Sequence, residues 1–180
     1  GPECTEVGER RDPYVYPEVR ITTLAYLGTF RPPINEKPRK NVIITLATDS
    51  STWTWPHLPV TETPTMAGPD RAPFKKALKA WHDAGANIRI WDYTIVFQYT
   101  IRPIPNMPAV TDNLRYYVRH GATGVFLQGA HNPNDGADRS LMRCWVWSKQ
   151  LWDPSRDTRR LVRDFNYGFY GPAGEPMQAY

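Results

Sequence analysis

The run NIRIWDYT (87–94) constrains the fold of this chain more than any other segment. It is dense in β-branched and aromatic residues. A helix-like segment that stops at Gly85 precedes it, and the loop IVFQYTIRPIPN and a second helix-like segment (108–120) follow it. The order α, β, α is that of a sheet built with helical crossovers. The run also brings Asp92 and Tyr93 to the carboxyl end of a strand, where an acid beside an aromatic suits a sugar site.

Three further runs read the same way: VRITTLAYL (19–27), NVIITLAT (41–48) and GATGVFLQG (121–129). All four are apolar rather than alternating, as in strands covered on both faces, and they favour a parallel sheet. Between them, Phe74, Leu78 and Trp81 form one helical stripe, with Pro73 in the first turn and Gly85 at the C-cap. Val110, Leu114, Tyr117 and Val118 form a second, closed by Gly121. A third helix spans 138–151 with Leu141, Trp145, Ser148 and Trp152 on one face. Ser155 or Asp153 is the expected cap of a fourth, which carries Leu161, Val162, Phe165 and Phe169. The connection between the first two strands holds RPPINEKPRK, whose three prolines predict an irregular crossover.

Four parallel strands with helical crossovers suit a doubly wound sheet or part of a (β/α)8 barrel. A full barrel takes about 250 residues, and this chain has 180. The expected fold is therefore α/β, the C-terminal half of a TIM barrel over 19–180, with an irregular remnant at 1–18. Such a half lacks the N-terminal half of its own barrel and should expose apolar strand edges.

The charge balance, 22 Lys and Arg against 18 Asp and Glu, leaves scattered basic residues and no nucleic-acid stripe. No apolar run reaches the length of a membrane span, and no leader is visible at the Gly-Pro start. Cys4 and Cys144 have no metal-ligand spacing around them, so neither a metal nor another cofactor is expected, and Cys144 reads as core. No Gly-rich phosphate loop opens a helix, which argues against a nucleotide fold.

Polar chemistry collects after the strands. Tyr26 follows the first; Asp49, Trp53, Trp55 and His57 follow the second; Asp92 and Tyr93 end the third; Gln128 and His131 follow the fourth. Aromatic faces against sugar C–H groups, with amide, carboxylate and imidazole groups on the hydroxyls, make a carbohydrate cleft. Glycoside hydrolysis usually takes two carboxyl groups, and Asp92 is the candidate catalytic acid here. Because Arg89 and Trp91 share one strand face, that face is expected to point at the helices. Asp92 and Ile90 would then face the barrel interior, with Asp92 bonding sugar or pairing with His57 or Arg102.

The segments ITTLAY, KPRKNVIITL, IWDYT, PIPNMPAVTDNLRYY, GATGVFLQG, KQLWDPSRD and FYGPAG, in that order, resemble a bacterial family of glycosidase-like TIM-barrel domains long described as of unknown function. That family is similar to endo-β-N-acetylglucosaminidases that cut the chitobiose core of N-glycans. The resemblance implies a fragment of a carbohydrate-active protein acting on GlcNAc-containing glycans, in an extracytoplasmic location. Its members usually carry a glutamate where this chain has Leu127, so the alternative is a catalytically silent glycan-binding barrel.

Overall fold

The computed structural model describes residues 19–48, 74–95, 103–129 and 139–179. Four strands, β1 (Ile21–Ala25), β2 (Val42–Ala47), β3 (Asn87–Tyr93) and β4 (Ala122–Gln128), form one sheet in sequence order, and every neighbouring pair is parallel. The helices are α1 (Phe74–Asp83), α2 (Met107–Arg119), α3 (Ser140–Trp152), α4 (Thr158–Tyr170) and the short α5 (Gly174–Ala179). This is the α/β architecture the sequence predicts, consistent with half of a TIM-like barrel. The β1–β2 connection contains no α-helix, only the 3-10 turn Leu27–Thr29, as its prolines require.

Two glycines make the helix-to-strand reversals. Gly85 and Gly121 both adopt a φ of +79°, a left-handed turn that side chains resist. Each lies between a helix and the strand that follows it, so the chain turns back at once along the sheet.

The larger core lies between sheet and helices. Phe74, Ala77, Leu78 and Trp81 of α1 and Leu114 and Tyr117 of α2 close over Ile44, Leu46, Ile88 and Ile90. Burying a side chain such as Leu46 or Leu78, both 0% exposed, stabilises the fold by about 1.5–3 kcal/mol. A second cluster joins Val110, Met142, Val146, Trp147, Leu161 and Phe165, and Leu127 packs against both.

Three local expectations are overturned. The buried stripe of α3 is Met142, Arg143, Val146, Trp147 and Gln150, while Leu141 and Trp152 point outward, the latter 89% exposed. Hydropathy misplaces the stripe because two of its members are polar and gain their burial through hydrogen bonds. Gln150 accepts from Thr111 and donates to Thr158 Oγ1, tying α2, α3 and α4 together. Cys144, one position beyond that stripe, is exposed rather than core. The cap of α4 is Asp157, whose carboxylate accepts from Arg160 N at 2.7 Å; Asp153 instead folds the preceding turn by accepting from Ser155.

Candidate functional site

A strand presents alternate residues to opposite faces, and the helix contacts decide which face of β3 is which. Ile88 and Ile90 lie in the core under α1 and α2, so Asp92 faces the helices too. The expected orientation is therefore reversed: Arg89, Trp91 and Tyr93 occupy the open face, and Asp92 is 1% exposed beneath α2. The reason is packing. The β-branched Ile88 and Ile90 match the apolar helix stripes, and the charged Arg89 is left to the uncovered side.

Asp92 sits in a set of neutral donors. Thr48 Oγ1 donates to its Oδ1 at 2.9 Å, and Tyr117 Oη donates to Oδ2 at 2.8 Å. Asn113 Nδ2 donates to the same oxygen at 3.3 Å. Burial pushes the carboxyl up to about 6, while the bonds from Tyr117, Thr48 and Asn113 pull it down. The Tyr117 phenol is held well above its ordinary value, first by burial and then by the Asp92 charge. Thr48 Oγ1 also accepts from Tyr93 N at 3.0 Å, so Asp92 fixes the backbone from which the Tyr93 ring projects.

The open face carries an aromatic wall. Trp91 meets Phe126 edge-on at 4.7 Å between centroids, Tyr93 lies 6.3 Å from Trp91, and Tyr26 lies 6.3 Å from Tyr93. Tyr26 and Tyr93 come from strands on either side of β2. They meet because β2 offers only Ala47 at that level, one step past the Ala25–Leu46 pair. Burial, followed by the neighbouring Tyr26, raises the Tyr93 phenol, which keeps it a neutral donor. Gln128 lies opposite Tyr93 in the β3–β4 register, so it belongs to the same face. Below this wall, a groove of about 530 Å³ runs along β3 and β4, lined by Thr45, Arg89, Trp91, Gly124 and Phe126 among others.

A clamp joins the described ends of the connection between β3 and α2. Arg143, 6% exposed, donates to Ile104 O at 3.1 Å and Thr94 O at 3.2 Å, and also bonds Asn106 Oδ1. Its guanidinium lies over the Trp147 ring. Asn106 Nδ2 in turn donates to Thr94 O at 2.7 Å, and Thr94 Oγ1 donates to Gln128 O at 2.8 Å. The carboxyl ends of β3 and β4 are thereby locked to α2 and α3.

Of the residues expected in the site, Tyr26, Tyr93 and Gln128 come together on the open face. Asp92 lies behind it. Asp49, Trp53, Trp55, His57 and His131, like Arg102, fall outside the described residues. Sequence reasoning missed Trp91, Phe126 and Arg89 as site residues, although their period-two spacing with Tyr93 and Gln128 was visible once the isoleucines were assigned to the core. It also missed Asn113 and Tyr117, which lie four apart on α2 and so reach the same carboxylate. Leu127, paired with Asp92 in register, bridges the two cores on the helix side. Among the described residues no three His, Cys, Asp or Glu side chains gather as metal ligands, and no helix is long and apolar enough to cross a membrane.

A family model described as "Domain of unknown function (DUF4838)" matches residues 12–180. No curated protein and no solved structure gives a significant match to the chain.

Proposed function

The chain belongs to the DUF4838 family of domains of unknown function, and from that premise we propose that it is part of a carbohydrate-active barrel whose glycan lies on the open face of the sheet. The observation that carries the reading is the continuous wall of Tyr26, Tyr93, Trp91 and Phe126, with the Gln128 amide at its end. Such rings present flat apolar area to sugar C–H faces, and the tyrosine hydroxyls and amide select hydroxyl positions. In this reading the substrate contains GlcNAc, and the parent protein hydrolyses it in the manner of an endo-β-N-acetylglucosaminidase.

Hydrolysis requires acid and base groups at the sugar. Asp92 is a positioning residue in this scheme: it lies behind the sheet, 1% exposed, and acts through Thr48 on Tyr93. The reacting carboxyls then come from outside the described residues, including the other strands of the barrel, and the 180-residue chain alone should not turn over substrate. The burial of Asp92 and the apolar bridge at Leu127 also favour the second reading, a glycan-binding barrel without catalysis.

Calorimetric titration of the chain with chitotetraose tests the common element. Binding should be lost or weakened at least about tenfold in Trp91→Ala, whose stacking surface is gone, while Trp152→Ala on the far, exposed helix leaves it unchanged. Equal affinity in wild type and Trp91→Ala would remove the open face as the sugar site. Release of glycan from an N-glycoprotein by this chain would show that its own residues complete the catalytic set.

A further inference from the structure

On the side of α3 turned away from its buried stripe, Leu141, Trp145, Ser148 and Trp152 form a second stripe at intervals of four, three and four residues. Leu141 is 63% and Trp152 89% exposed. The stripe extends onto α4. Trp145 packs against Phe165 at 5.9 Å between ring centroids, and Phe169, 57% exposed, stacks on Phe165 at 5.0 Å. Only the turn 153–157 joins α3 to α4, so the two helices form a hairpin, and Phe169 lies on the Leu141 side of the Trp145–Phe165 contact. No charge lies in the stripe. Lys149 flanks it, with its ammonium over the Trp145 ring. Ser148 Oγ already donates to Trp145 O at 2.8 Å, so covering that hydroxyl strands no donor.

The spacing is symmetric about a point midway between positions 146 and 147. Two copies of α3 packed antiparallel about a twofold axis through that point would set Leu141 against the partner's Trp152 at each end and Trp145 against the partner's Ser148 on each side of the centre. A large side chain meets a smaller one at every step. A twofold contact requires a patch complementary to itself, and this spacing supplies one. Leu141, Trp152, Phe169 and the open part of Trp145 expose on the order of 500 Å² per copy, so a pair buries about 1,000 Å², the lower bound for a specific interface. We propose that this helix face is a self-association surface and that its occupant is a second copy of the chain, paired α3 to α3 about that axis. It lies in the helix layer, apart from the open sheet face and the edges of β1 and β4. At that area the dimer is weak and dissociates in the micromolar range.

Sedimentation velocity of the full 180-residue chain from about 1 to about 200 μM should show a reversible monomer–dimer equilibrium. Trp152→Asp removes the end contacts, Ser148→Arg sets two like charges beside the axis, and each should weaken the dimer at least about tenfold. Both positions are exposed, so thermal midpoints measured at the dilute end should not move. The axis also brings the two copies of position 148 within about 4.5 Å of each other along the helices, in reach of a disulfide. With Cys4 and Cys144 replaced by serine, Ser148→Cys should cross-link into a dimer under mild oxidation, and Arg160→Cys, at an exposed site on α4, should not. A chain that stays monomeric across the range would overturn the proposal. So would association that both variants leave intact, because it would run through another surface such as the strand edges. Failure of Ser148→Cys to cross-link, or equal cross-linking of Arg160→Cys, would refute the α3 pairing.

Discussion

Replacing Asp92 by asparagine keeps the shape of the side chain and removes its charge, which isolates what ionisation costs a carboxyl buried behind the sheet. In the folded protein that carboxyl sits at about 6, against 3.8 for an unperturbed aspartate. Because the folded value lies above the unfolded one, folding favours the protonated form. The stabilisation is complete below about pH 4 and is lost as the pH rises through about 6. The gap corresponds to about 3 kcal/mol between the acidic and neutral plateaus. The substituted amide turns an NH2 toward groups that donate, so the variant carries its own penalty. That penalty does not titrate, and it cancels when two pH values are compared. Urea unfolding followed by tryptophan fluorescence from about pH 4 to about pH 8 should show the wild-type advantage over Asp92→Asn shrinking by about 3 kcal/mol. At a few degrees per kcal/mol for a domain of this size, the thermal midpoints should converge or cross by about 5–10 °C. A wild-type advantage that stays flat, or that grows with pH, would refute the account of a desolvated carboxylate held by neutral donors.

Arg143→Ala should cost about 2–4 kcal/mol in chemical denaturation, because it takes the guanidinium donors away from the buried Asn106 Oδ1 and Thr94 O and from Ile104 O; a loss below about 0.5 kcal/mol would mean the clamp is slack. Asp157→Ala should cost about 1 kcal/mol, the usual worth of an N-cap, and more than Asp153→Ala, whose bonds fold only a turn. The Cys144 thiol should react with a disulfide reagent in the native protein without a fall in thermal midpoint, and protection until unfolding would contradict its exposure.

The sheet and most helices were legible because their signals are local. Phe74, Leu78 and Trp81 repeat at helical spacing, Gly85 ends the turn, and the isoleucine-rich run that follows leaves little choice of partner. What was not legible depended on which residues meet across the sheet. The face of β3 could not be read from Arg89 and Trp91 alone, since a charged residue on one face says nothing until the opposite isoleucines are matched to α1 and α2. The α3 stripe failed for a related reason. Arg143 and Gln150 are buried because acceptors and donors from other segments await them, and a hydropathy pattern carries no record of those segments. Tyr26 and Tyr93 were picked individually, but their meeting rests on the smallness of Ala47 between them.

The connection between β1 and β2 has a further consequence. In place of a crossover helix, among the described residues this connection sends Phe30 into the core: it is 2% exposed, packs beside Phe74, and its carbonyl accepts from Trp81 Nε1 at 2.9 Å. Beyond that anchor the chain runs out to Ile34, 99% exposed, before it returns to β2. The two contacts of the anchor are with Phe74 and Trp81 of α1 and involve no residue of the excursion. Lengthening the excursion costs little, since each doubling of a flexible loop adds only about 0.6 kcal/mol, and neither of those contacts depends on its length. The stretch around Ile34 is thus a natural port in this fold: a fluorophore, an affinity tag or new chain ends could be placed there without disturbing the contacts made by Phe30.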